Sequence, residues 1–347
     1  MRRVRALWYR VFLVRALLAA IVTVVVRRLT RGKAHPAWSL PYEVGVELNR
    51  RFMNNGAGEI SRGGRPSDAA VPRNPIHAQR VALGKQVIAG QRADVHTPLG
   101  YAQGAPTFLY WHGGGYVSCS PRTHRALLCA LADASGARCI APSYPLAPAS
   151  PFPAALDAAL ACYRELLASG VSPSRLVVGG DSAGGGLTLA MLLSLRDAGE
   201  PLPSAAVLLS PWVDLECSGA SIQGHARYDY LDPELVDQAA RWYAGGESRR
   251  HPLISPIHAD LRGLPPMLVL TGGVEVFHSE NELFVERLRA ADVRVAHEIA
   301  EHAVHVFPLL SVVSAQGRSA ERRIGRFIRE HTLAREPAPA ITAAASA

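Results

Sequence analysis

The sequence predicts an α/β architecture, a mostly parallel central sheet flanked by helices, with further helical segments serving as a cap. Two observations carry this. From about residue 85 onward, short β-branched or apolar runs alternate with longer helical patterns, the signature of strand–helix–strand units. Two of the short runs also end at glycine clusters, at the carboxyl ends of strands where open α/β sheets gather their functional groups.

The elements follow in order. Thr107–Trp111 reads as a strand that runs into glycines, and Arg122–Ser135 as a helix closed by Gly136. Ala137–Ala141 is the next strand, and Phe152–Ser169 a helix closed by Gly170. Leu176–Val178 is a strand, Ala183–Ala198 a helix closed by Gly199, and Ala205–Leu209 a strand. Met267–Thr271 and Val293–Ile299 are strands on either side of a helix at Glu280–Ala291, and the last helix spans Gln316–Thr332. Residues 218–247 break the rhythm and read as an inserted lid.

At 347 residues, with 48% hydrophobic and 19% charged residues, the chain suits one large α/β domain plus insertions. The composition excludes a disordered chain and a polytopic membrane protein. Its net charge of +8 resembles a nucleic-acid signal until it is located. Residues 1–33 contain nine Lys and Arg and no Asp or Glu, so the remaining body is close to neutral and nucleic acid is not an expected partner. The five cysteines, Cys119, Cys129, Cys139, Cys162 and Cys217, are odd in number and lie in apolar contexts without a C-x-x-C. They favour free thiols in a reducing, cytoplasmic compartment over a secreted disulfide framework.

Residues 1–33 form a basic, hydrophobic helical segment. Its uninterrupted apolar run, Ala16–Val26, covers 11 residues, whereas a spanning helix needs roughly 20. On a helical wheel Arg2, Arg3, Arg5, Arg10, Arg27, Arg28 and Arg31 share one face, with Arg15 opposite. Three readings stay open: a cap-packing helix or one lying on an anionic membrane surface, a single span, and a signal peptide. Residues 34–83 are assigned to a cap and linker region, with 52–75 read as a Gly/Ser/Pro-rich loop. Residues 84–332 form the α/β domain, and 333–347 a disordered tail. Oligomeric state is not legible.

Two motifs carry chemistry. Gly180-Asp181-Ser182-Ala183-Gly184 fits G-x-S-x-G directly between a strand and a helix. Small neighbours there let the backbone turn sharply and project Ser182 Oγ, while the helix N-terminus favours developing negative charge. His112-Gly113-Gly114-Gly115 ends the first strong strand. Consecutive glycines let backbone N–H groups approach a tetrahedral oxyanion. Gly114, Gly115 and Ala183 are the expected donors, with His112, Gly113 and Asp181 in support.

With these motifs in register, the chain resembles the hormone-sensitive-lipase-like family of α/β-hydrolases, also called α/β-hydrolase fold 3. The resemblance is carried by YWHGGGYV (110–117), SYPLAPASPFPAALDAA (143–159), VVGGDSAGGGLTLAM (177–191), SPWVDL (210–215), LPPMLVLTGGVEVF (264–277) and EHAVHVFPLL (301–310). It implies a serine carboxylesterase or lipase acting on small ester substrates of short or medium acyl chain, capped by the N-terminus and an insertion, with no metal or organic cofactor.

Triads of this fold run in the order Ser, acid, His. Glu275 lies in the loop after Met267–Thr271, where the family carries its acid; Glu280 and Glu282 are the runners-up. His305, in His305-Val306-Phe307, matches the family's His-x-Phe and is the expected base, with His302 as competitor. A metal pair of His302 and His305 lacks a third ligand nearby. Trp212 and Asp214 are read as structural. The chain departs from the family at Pro145 and Ala149, where relatives often carry Arg and Glu, which puts a buried ion pair in doubt. The same triad also serves N-acetyl amide and lactone hydrolases. A catalytically silent receptor on this scaffold, as in plant gibberellin receptors, lacks the working base.

Overall fold

The computed structural model describes residues 2–61, 75–102 and 104–332. Three helices come first: α1 (Arg2–Thr30), α2 (Leu40–Ser61) and the short α3 (Pro75–Ala78). A hairpin follows, β1 (Val81–Ile88) and β2 (Gln91–Pro98), and then β3 (Thr107–Trp111), α4 (Arg125–Ser135), β4 (Arg138–Pro142), α5 (Ala154–Ala168), β5 (Leu176–Asp181), α6 (Ala183–Asp197) and β6 (Ala205–Leu209). Two helices, α7 (Ser221–Gly224) and α8 (Pro233–Ala244), occupy the region read as a lid. β7 (Met267–Gly272), α9 (His278–Ala290), β8 (Val295–Ala300) and α10 (Ala315–Thr332) complete the described residues.

The eight strands form one sheet in the order β1-β2-β4-β3-β5-β6-β7-β8. β2 runs antiparallel to both neighbours and every other pairing is parallel. The central strands are buried on both faces, which is why they read as continuous apolar runs. Alternation along β5 sends Leu176 and Val178 into one core and Val177 into the other. The first core is built with α5, α6 and α9, and the second with α4 and α10.

The predicted elements differ from the observed ones in three places. The β1–β2 hairpin went unread because β1 is interrupted by Gly84, Lys85 and Gln86 and largely exposed, and β2 is polar, although Ala89 and Gly90 both take the positive φ that a two-residue hairpin turn needs. β5 continues through Gly179 and Gly180 to Asp181, since those glycines pair with β3 and β6 despite their low strand propensity. Within the 52–75 loop reading, residues 52–61 are helical instead: α2 runs on to Ser61, past Gly56 and Gly58. Residues 62–74 and the 333–347 tail lie outside the described residues.

α1 and α2 pack as an antiparallel pair fastened by Glu43. Its carboxylate is fully buried and accepts from Arg27 (2.6 and 3.1 Å), Arg28 (2.6 Å) and the amide of Ala34 (3.0 Å). Two of the arginines on the basic face therefore turn inward, toward protein. Burial works against ionisation of Glu43, but the Ala34 amide and the Arg28 and Arg27 guanidinium groups outweigh it and hold its carboxyl below the usual range. Among the described residues, no helix is long and apolar enough to cross a membrane.

Glu43→Gln is expected to weaken the docking of α1 by about 1–3 kcal/mol, the guanidinium groups being partly hydrated. Limited trypsinolysis should then cut at Arg27 and Arg28 faster than in wild type, and an unchanged rate would remove Glu43 as the fastener. The depressed carboxyl makes the contribution complete above the ordinary Glu range and lost as pH falls through the lower folded-state value. Hydrogen exchange of α1 should accelerate in that acidic window in wild type, and less so in Glu43→Gln.

Candidate active site

β5 ends at Asp181 and α6 begins at Ala183, so Ser182 alone makes the turn. It adopts φ 52°, ψ −122°, a left-handed conformation that a non-glycine residue holds only when its surroundings enforce it. The enforcement is visible in hydrogen bonds. Ser182 N donates to Leu209 O at 2.9 Å, while its carbonyl accepts from Gly185, Gly186 and Trp212. Gly184 is obligatory here, because a Cβ would collide with the carbonyl of Trp111 at the end of β3.

The glycine loop after β3 is held against this turn by Asp181. Its buried carboxylate accepts from Tyr110 Oη (2.7 Å), Gly113 N (3.0 Å) and His124 Nε2 (3.2 Å). Burial opposes the charge, yet His124, Tyr110 and the Gly113 amide together hold the Asp181 carboxyl below its usual range. His112 stacks on Tyr144 at 4.3 Å and shares a 2.8 Å contact between its Nδ1 and Gly113 O. Burial pushes its pKa down to about 3, so it is neutral beneath the loop. Gly114 and Gly115 carry φ of 114° and 63°. Among the described residues, the amides of Gly114, Gly115 and Ala183 meet no protein acceptor.

Glu275 lies after β7 and is fully buried. Its Oε2 accepts from Ser210 Oγ (2.6 Å) and Gly272 N (2.7 Å), and its Oε1 accepts from Asn281 Nδ2 (3.2 Å). That Oε1 faces His305 Nδ1 at 3.9 Å, beyond hydrogen-bond length. Apo sites often hold such contacts loosely and tighten them with substrate. His305 sits edge-on to Phe277 at 5.0 Å. Burial lowers its pKa, but Glu275 first, then Asp229 and Asp181, raise it above the ordinary histidine value.

The runners-up are elsewhere. Glu280 is buried against Gly219 N, Glu282 is half exposed beside His278, and His302 is half-buried beside Glu301 and His35. Trp212 stacks on Phe277 and donates to Asp214 O, while Asp214 caps the turn at Glu216 and Ser218. Asp214, Glu216 and His258 bring ligand-type atoms within 4.8 Å of one another, but none lines the Ser182 cavity. The Pro145–Ala149 segment is anchored without an Arg–Glu pair: Ala147 N donates to Tyr116 O and Tyr144 Oη to His112 O.

Ser182, His305, Gly114, Gly115 and Asp181 share one cavity of about 460 Å³. Leu17 of α1, Phe52 and Met53 of α2, and Leu235, Val236 and Trp242 of α8 make its apolar wall. A profile of the alpha/beta hydrolase fold matches residues 108–309. An acetyl-hydrolase from Streptomyces hygroscopicus is 45% identical over 231 residues, 66% of this chain and 77% of that protein. An esterase from Acinetobacter venetianus is 33% identical over 65% of this chain and 76% of its own length. The crystal structure of an esterase from the bacterial hormone-sensitive lipase family superposes with a TM-score of 0.73 at 35% identity, covering 92% of this chain and 98% of that one. The chain belongs to the hormone-sensitive-lipase-like family of α/β-hydrolases.

Against this family frame, one carboxylate that sequence reasoning missed stands out. Asp229, in the segment read as a lid, is buried; its Oδ2 accepts from Val276 N (2.8 Å) and its Oδ1 from Tyr230 N (2.7 Å) and His305 N (3.4 Å). It ties the lid to both loops that carry Glu275 and His305. Burial pushes its own carboxyl up to about 6; His305 opposes the shift and Glu275 adds to it. Nothing at fixed sequence spacing marks Asp229, because its partners are backbone amides of distant loops.

Neutral His305 is the form that can accept a proton, so the acid limb of kcat/KM should lie above the ordinary histidine value. Asp229→Asn removes one of the charges raising it. That limb should therefore move to lower pH, alongside a fall in kcat from the lost Val276 contact. A uniform loss at all pH values, with the limb in place, would reduce Asp229 to a folding role.

Proposed function

We propose that this protein hydrolyses short- to medium-chain acyl esters through an acyl-enzyme on Ser182. Its broader class follows from its family: it is a carboxylic ester hydrolase. The observation that carries the finer reading is one apolar cavity lined by the strained Ser182, by the buried His305 that faces Glu275, and by Gly114 and Gly115.

In the proposed cycle, His305 Nε2 takes the Ser182 Oγ proton as Oγ bonds to the ester carbonyl carbon. The carbonyl oxygen, now negative, is held by the N–H groups of Gly114, Gly115 and Ala183. His305 returns the proton to the leaving alkoxide and the C–O bond breaks. Water then gives its proton to His305 as it attacks the acyl-enzyme; the acid leaves and Ser182 regains its proton. Glu275 stabilises the imidazolium in both halves. None of these steps draws on a metal or organic cofactor.

A cavity of about 460 Å³ closed by three cap helices supports small substrates. The name of the Streptomyces hygroscopicus relative, acetyl-hydrolase, supports the short end of the acyl range and keeps N-acetyl amides as a second reading. The five free cysteines support a reducing, cytoplasmic setting.

Wild type should label covalently with a fluorophosphonate probe and turn over p-nitrophenyl acetate and butyrate. Ser182→Ala should lose the label and roughly 10⁴-fold or more of kcat. Retained turnover in Ser182→Ala would overturn the assignment. Faster cleavage of acetylated amines than of matched acetate esters would move the amide reading forward.

A further inference from the structure

We propose that the outward face of α1 lies in the headgroup region of an anionic membrane and brings the Ser182 cavity to acyl esters held in that leaflet. The docking half stands on its own; the substrate half rests on the esterase reading above.

α1 is amphipathic in an unusual sense. Its inner side is tied down, with Ala20 and Val24 fully buried and Arg27 and Arg28 paired to Glu43. Its outer side is apolar and open to solvent. Val14, Leu18, Val22, Val26 and Leu29 are each more than half exposed, and they follow one another at steps of four, four, four and three. That spacing is a single stripe of about 22 Å at 1.5 Å per residue. A stripe of that length is more apolar surface than a solvated helix normally leaves uncovered.

Charge chooses the occupant. Residues 1–33 hold nine cations and no anion, and among the described side chains Arg27 and Arg28 are the ones paired to Glu43. Arg15 is exposed within the stripe, and Arg31 and Lys33 are exposed at its carboxyl end. An apolar stripe with Arg15 inside it and Arg31 and Lys33 at its carboxyl end matches a leaflet with acyl chains below and anionic headgroups above. The same charge disfavours a second copy of this chain, whose matching face would bring like charges together.

The geometry gives the docking a use. Ala16 and Leu17 of the same helix line the cavity that holds Ser182 and His305. One helix thus separates the leaflet from the reacting serine, and an ester drawn from lipid crosses a single helix diameter, about 10 Å, to reach it.

The full-length protein should float with vesicles of equal parts phosphatidylglycerol and phosphatidylcholine, release at high salt, and stay behind with pure phosphatidylcholine. Leu18→Glu/Val22→Glu should lower flotation about tenfold or more, with thermal melting and hydrolysis of soluble p-nitrophenyl butyrate within twofold of wild type. These two positions are exposed and do not line the cavity. Wild type that floats with neither vesicle, or a variant that floats as well as wild type, overturns the docking. So does a dimer in light scattering that the two substitutions dissociate, which would give the face to a second copy. For the substrate half, an acyl ester embedded in the mixed vesicles should be cleaved at least severalfold faster by wild type than by the variant. Equal rates overturn delivery from the leaflet. Flotation without turnover of any ester, soluble ones included, marks failure of the esterase reading instead.

Discussion

The geometry of the candidate site depends on one buried carboxylate, Asp181. It sits at the last position of β5, under the serine turn, and binds the amide of Gly113 in the neighbouring loop. That bond sets the distance between Ser182 and the proposed oxyanion donors Gly114 and Gly115, which are otherwise carried by separate strands. The packing leaves no slack: a Cβ at Gly113 would strike Asp181, and one at Gly184 would strike Trp111 O. An isolated buried carboxylate would cost several kcal/mol or take up a proton. Tyr110 and His124 supply the compensation, so a single residue fixes the register of the site without neutralising itself.

A second set of carboxylates governs His305, the proposed base. Glu275 cannot swing, because three donors hold its two oxygens. Ser210 Oγ, one of them, also accepts from Val306 N next to the base, so acid and base loops share a partner on β6's carboxyl end. Asp229 adds a further clamp, from the cap side. Histidine basicity here is the outcome of an opposition: burial in an apolar cavity lowers it, and the surrounding negative charge more than restores it.

The core of the fold was legible because its physics is local. Parallel strands buried on both faces are apolar runs, and helices stop at Gly136, Gly170 and Gly199 whatever the tertiary context. Ser182, Glu275 and His305 were legible as candidates because strand–turn junctions restrict residue choice at short spacing. What escaped was decided by long-range pairing. β1 is a largely exposed edge strand and β2 a polar strand held between β1 and β4, and α2 continues through two glycines that propensity alone would make breakers. Asp229 and His124 are ordinary residues in sequence, and become special only when loops far apart in the chain converge. The basic face of α1 was readable, but not that two of its arginines answer to a buried Glu43.

The bond network around Asp229 means that the cap is not an interchangeable part. Hydrolases of this architecture invite the idea of a constant chemical engine beneath a replaceable selectivity module. Here the module reaches down and grips the engine at the amides of Val276 and His305. Grafting a different insertion between β6 and β7 would alter acid–base strength and loop rigidity together with pocket shape. Selectivity and reactivity in this chain are therefore inherited as one unit.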